Sequence, residues 1–165
     1  HKPTWDISST AMIGERKGII LVEAKAHSEE PSELGKTPGS KENEGSIRAA
    51  ICRANAGLGG KQAGWNLTAD SHYQLCNRFA WSWKIASLGV PVILVYLGFL
   101  NAEEMTDIGQ PFRSATEWSD VNRNHAESIV PNDAWDRPID IDGTKMRAII
   151  QAVDPYNESH YVPRN

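Results

Sequence analysis

The apolar run Gly18-Ile19-Ile20-Leu21-Val22, followed at once by Glu23-Ala24-Lys25, constrains the fold of this chain more than any other feature. Such a run predicts a strand over Ile19–Ala26 covered on both faces, and therefore central in a sheet packed by helices. Side chains alternate across a strand, so Glu23 and Lys25 share one face while Val22, Ala24 and Ala26 take the other. Charged side chains are almost never fully buried unless they are paired or bound to something. A carboxylate and an ammonium at the end of a core strand therefore mark a candidate site. Asp6 lies in a second strand-like segment, predicted over Thr4–Ile13, and the polar turn Gly14-Glu15-Arg16-Lys17-Gly18 joins the two. A hairpin of this kind brings Asp6 beside Glu23 and Lys25.

The rest of the chain alternates helices with apolar strands. Ser46 is expected to cap a helix over Ile47–Leu58 that stops at Gly59-Gly60. Ser71 is expected to cap a second helix, His72–Leu88, with Leu75, Phe79, Trp83 and Ala86 at helical spacing. Val90–Leu97 reads as a third buried strand and Ala102–Met105 as a helical turn. Ser114, with Glu117 three residues on, opens a helix over Ser114–Ile129. Ile139–Val153 is expected to form a hairpin turning at Asp142-Gly143. His27–Gly45 reads as a long loop, and the tail from Asp154 as loosely held. This order of elements predicts a single α/β domain over residues 1–165, an α/β/α sandwich around a mixed sheet.

Bulk properties limit the functional classes. The chain has 165 residues, a net charge of -4 and a pI near 5.7, so nothing attracts nucleic acid globally, and any polyanion site needs a local basic patch or bound metal. Cys52 and Cys76 lie in helix-like segments with no CxxC spacing and read as reduced, buried, structural thiols of a cytoplasmic protein. The longest apolar stretch, Val90–Leu100, is too short to cross a bilayer and is broken by Pro91 and Gly98, so no membrane partner is expected. Most of the six tryptophans are expected in the core.

Two convergent carboxylates suit a hard divalent cation such as Mg2+ or Mn2+, and a neighbouring lysine suits a metal-bound water or a phosphate oxygen. Asp6, a turn, and then Glu23-Ala24-Lys25 after an apolar strand resemble the PD-(D/E)xK nuclease superfamily, whose fold is the restriction-endonuclease-like sandwich. The resemblance implies that Asp6 is the first acid, Glu23 the second and Lys25 the lysine of that motif, with Asp6 and Glu23 as metal ligands and DNA or RNA as substrate. It covers roughly the first hundred residues, and the remainder, about 101–165, resembles an extension specific to one bacterial branch. Tyr73-Gln74 is similar to the helical Gln/Tyr pair that supports the site in some exonuclease branches. The sequence departs from the motif where Thr4-Trp5 stands in place of its proline. The leading helix and first strand of the fold are also missing, whether trimmed away or lacking in this branch.

Other residues carry weaker expectations. His27 shares the Lys25 face and is a candidate phosphate or water contact as well as an ordinary strand-end residue. Glu29, Glu30 and Glu33 are candidate outer ligands on an acidic loop. His72 and Cys76 have the i, i+4 spacing of zinc ligands without a second pair, which favours packing. Arg48, Arg53 and Lys61 form a mild basic stretch, and Arg78 and Lys84 read as helix-surface charges. Two further functions remain open on the sequence: a binding or scaffold protein that keeps the nuclease fold without turnover, and a small-molecule or carbohydrate hydrolase using the carboxylates as acid and base.

Overall fold

A computed structural model describes residues 4–28 and 41–156, with main chain only at 41–43. The sequence folds into an α/β arrangement built on one five-stranded mixed sheet. The strands are β1 (Ile7–Ile13), β2 (Arg16–Lys25), β3 (Val92–Phe99), β4 (Pro138–Ile141) and β5 (Thr144–Val153). The helices are α1 (Lys41–Gly59), α2 (Tyr73–Ser87) and α3 (Ala115–His125), with short 3-10 turns at Glu103–Met105 and Asn132–Ala134. Sheet order is β1-β2-β3-β5-β4. β1 and β2 form an antiparallel hairpin, β2 runs parallel to β3 and β3 parallel to β5, and β4 folds back antiparallel on β5.

The two parallel pairings need crossover connections, and helices supply both. α1 and α2 link β2 to β3, and α3 lies between β3 and β5. All three helices pack on one face of the sheet. Leu21, Leu94, Met146 and Ala148 point into a single core with Ile51 and Leu58 of α1, Phe79 of α2 and Trp118 of α3. Phe79 is its hub: its ring meets Trp65 edge-on at 5.2 Å and Trp135 at 5.5 Å, and stacks on Tyr96 at 6.3 Å. The opposite face carries Ile20, Ala24, Ile93, Val95 and Leu97, half-buried and outside that core. The expected three-layer sandwich is therefore a two-layer arrangement among the described residues.

Local chemistry explains most boundaries. Ser114 caps α3, its Oγ accepting from the Glu117 N–H at 3.1 Å, while the Glu117 carboxylate accepts from the Arg113 N–H at 2.7 Å. Asp142 and Gly143 both have positive φ, 51° and 84°, which suits a two-residue hairpin loop. The Asp140 carboxylate steadies that turn by accepting from the Gly143 N–H at 2.7 Å. Other boundaries differ from expectation. β1 starts at Ile7 rather than Thr4, and β2 takes in Arg16 and Lys17, so the turn shrinks to Gly14-Glu15. α1 starts at Lys41, which leaves Ser46 inside the helix. The residue flanking α2 is His72, not Ser71, and it makes no side-chain cap. Cys76 is buried as expected, but Cys52 is exposed. No described helix is long and apolar enough to cross a membrane. Glu29, Glu30 and Glu33 lie outside the described residues.

Candidate functional site

β2 delivers Glu23 and Lys25 to the helix-covered face, as their alternation with Val22 and Ala24 requires. Glu23 is 2% exposed, and a charge this deep needs partners. It has two. Its Oε1 lies 3.0 Å from Lys25 Nζ, and its Oε2 accepts from Arg78 Nε at 2.6 Å. Arg78 projects from α2 and is itself buried. Its guanidinium stacks 4.5 Å above the Trp5 ring, so the segment entering β1 closes over the ion pair. One carboxylate between two cations leaves this buried cluster one positive charge in excess.

Asp6 stands at the rim of the cluster. The ladder pairs Ile7 with Val22, which sets Asp6 across from Glu23, one step beyond the last bridge. Asp6 is exposed, and its Oδ2 accepts from the Ala24 N–H at 2.7 Å. The side chain thus takes the place of a main-chain acceptor where β1 stops pairing. The hairpin register thus sets Asp6 opposite Glu23 along the backbone, and Lys25 contacts Glu23 through its side chain. Each carboxylate also has a structural duty of its own.

A cavity of about 20 Å³, lined in part by Lys25, lies between α2, β3 and α3, with room for about one water molecule. Lys25, His72, Gln74, Tyr96, Asn122 and His125 line it with Leu75 and Trp118. His72 occupies the left-handed region at φ 51°, and its ring lies 4.7 Å from that of His125. Burial, followed by the neighbouring His72 and Lys25, pushes His125 down to about 4, so its imidazole is neutral at ordinary pH. The Tyr96 hydroxyl and His72 Nδ1 are buried with no hydrogen-bond partner among the described residues. Burial, reinforced by the Glu23 carboxylate and opposed by Arg78, holds the Tyr96 phenol well above its usual value, so it remains a neutral donor.

The supporting residues divide. Gln74 lines the cavity as expected. Tyr73 packs against the core instead, with its hydroxyl raised mainly by burial. His27 is 5% exposed and lies in a bridge opposite Pro111, away from the cavity lining. The His72 and Cys76 pair is no metal site. His72 turns to His125, and the Cys76 thiol donates to the Ser71 carbonyl and accepts from the Thr68 N–H. Arg78, Tyr96 and His125 are the residues that sequence reasoning did not assign to the site. For Arg78 a signal existed: it shares a helical stripe with Leu75, Phe79 and Ser82, all buried, and a charge within a buried stripe calls for a partner.

Among the described residues no three His, Cys, Asp or Glu side chains converge as a ready metal cluster. The donors present are hard carboxylate oxygens. An ionised carboxylate offers about four lone-pair sites, of which Glu23 uses two and Asp6 one. Hard oxygens of this kind are the donors that magnesium and manganese take, but both oxygens of Glu23 are already engaged by Lys25 and Arg78. Compared with family models, curated proteins and solved structures, the chain matches none.

Proposed function

We propose that the chain is a metal-dependent phosphodiester hydrolase acting on DNA or RNA, with a restriction-endonuclease-like core. The observation that carries the reading is the placement of Asp6 across the β1–β2 hairpin from Glu23, with Lys25 bonded to Glu23 at 3.0 Å. The hairpin followed by a helical crossover to parallel β3 supports the same fold assignment. Asp6 and Glu23 would hold Mg2+ or Mn2+, which when bound supplies a polarised phosphoryl oxygen and a more acidic water. Lys25 presents an ammonium held in place by Glu23, able to stabilise charge developing on phosphate. Arg78 fixes the Glu23 carboxylate through the 2.6 Å hydrogen bond from its Nε. Tyr96, a neutral donor beside the Lys25 cavity, is suited to holding a water there.

The test is cleavage of single- and double-stranded DNA and RNA with magnesium or manganese. Wild type should cleave one of them, and Asp6→Asn and Lys25→Ala should each lose about a hundredfold or more. Equal rates in all three proteins remove these residues from the chemistry. A second reading, a binding or scaffold protein without turnover, draws on a different observation. Both oxygens of Glu23 are already held by cations, and the group is buried. Calorimetric titration with manganese separates the readings, since a catalytic site gives heat that Asp6→Asn abolishes.

A further inference from the structure

A second concavity lies between α1 and α2, away from the carboxylates. It encloses about 220 Å³ and is lined by Arg53, Trp81, Trp83 and Lys84, with Ala50, Asn77 and Ala80 completing the wall. Trp81 is the most exposed of the six tryptophans, at 36%. Trp83 lies on α1 at Gly57, where an added Cβ would sit 2.5 Å from the indole, so the close approach of the two helices depends on that glycine. Arg53 and Lys84 are exposed, and neither side chain pairs with a carboxylate among the described residues. Arg48 and Lys61 differ: they are held by Asp70 and Asp142.

Two indoles beside two unneutralised cations make a site for a ligand that is both flat and anionic. Bases stack on aromatic faces irrespective of sequence, and phosphates attract the cations. We infer that this groove binds single-stranded nucleic acid, one base stacking on Trp81 with the flanking phosphates drawn to Arg53 and Lys84. The inference rests on the proposed function and assigns single-stranded nucleic acid as its substrate class. Trp81 and Lys84 lie three and six residues beyond Arg78, about 5 and 9 Å along the axis at 1.5 Å per residue, so the groove and the Glu23 anchor share one helix. A duplex keeps its bases stacked inside and cannot offer one to an indole.

The experiment is fluorescence anisotropy with a labelled oligo(dT) strand in EDTA, where no cleavage occurs, alongside quenching of tryptophan emission. Wild type should bind with quenching. Trp81→Ala should weaken binding about tenfold, and Trp81→Tyr, which keeps a ring, should retain most of it. Arg53→Gln with Lys84→Gln should lower the salt dependence, reducing the slope of log affinity against log salt by about 1.4. Thermal melts of these surface variants establish that they fold. Unchanged affinity in Trp81→Ala, or duplex bound as tightly and without regard to Trp81, overturns the inference. Cleavage by wild type combined with unchanged Trp81→Ala affinity defeats the groove and leaves the nuclease reading standing. Trp81-dependent binding with no cleavage under any divalent cation supports the groove and defeats hydrolysis.

Discussion

Arg78 holds Glu23 from the helix side through a 2.6 Å hydrogen bond, and both residues are buried. Removing Arg78 leaves Glu23 paired with Lys25 but takes a buried charge-assisted hydrogen bond from Oε2, which costs about 1.5–3 kcal/mol. Arg78→Met should therefore lower the unfolding free energy by about that amount, read from urea transitions. Glu23→Gln strands both Arg78 and Lys25, whereas Glu23→Gln combined with Arg78→Met strands Lys25 alone, so the double variant should be less destabilised than the sum of its singles. A double variant as unstable as the sum of its singles would mean that Arg78 acts through packing on Trp5 rather than through Glu23.

Asp6 allows its structural and chemical roles to be separated. Its carboxylate accepts from the Ala24 N–H at an exposed position, an interaction worth on the order of 1 kcal/mol. Asp6→Asn keeps a side-chain oxygen for that N–H and loses the charge. Stability should stay within about 0.5 kcal/mol of wild type, while manganese binding heat and cleavage both disappear. Retained heat and cleavage in Asp6→Asn would assign the residue to closing the hairpin and nothing more.

The parts of the fold that were legible in the sequence are those where one local signal dominates. The apolar run of β2 marks a strand inside the sheet, and Asp142-Gly143 and Ser114-to-Glu117 carry their turn and cap chemistry in neighbouring residues. Ser71 and Ser46 misled because cap propensity is weak against tertiary demands. At α2 the chain enters through His72 in the left-handed region, so that its ring meets His125 on α3. No local pattern announces a contact between residues so far apart in sequence. The same holds for the covering of the sheet. The pattern of β2 and β3 says that both faces are apolar, but not which elements lie on each. Of the candidate site, the Glu23–Lys25 pair follows from period-two alternation, whereas Arg78, Tyr96 and His125 join it through packing.

Gly98 tests how closely α3 sits on the site. It pairs with Lys25 in the parallel ladder, and an added Cβ would lie 2.5 Å from Trp118 Cγ. Trp118 is 1% exposed and donates to the Tyr96 carbonyl at 3.3 Å, so the indole has little room to retreat. Gly98→Ala should cost about 1–3 kcal/mol through overpacking and change the near-ultraviolet circular dichroism as Trp118 shifts. Trp118 also lines the Lys25 cavity, so any catalytic rate should fall with it. A variant of wild-type stability and spectrum would show that α3 can slide away from the sheet without loss.

The neutral His125 gives stability a pH dependence whose sign is fixed. Burial, then His72 and Lys25, hold its folded pKa at about 4, against about 6.5 for an unperturbed histidine. Above pH 6.5 the imidazole is neutral in both states and contributes no slope. Between 6.5 and 4 the unfolded chain binds the proton and the folded one does not, so stability falls as pH falls across that window. Below 4 both states are protonated at this residue and its contribution levels off. The group is partly exposed, which reduces the effect below what the full difference implies. His125→Asn removes the titrating ring, so its urea midpoint should decline less steeply than that of wild type between pH 6.5 and 4, with the two curves parallel above pH 7. Parallel curves throughout would place the His125 imidazole in contact with solvent rather than against His72 and Lys25.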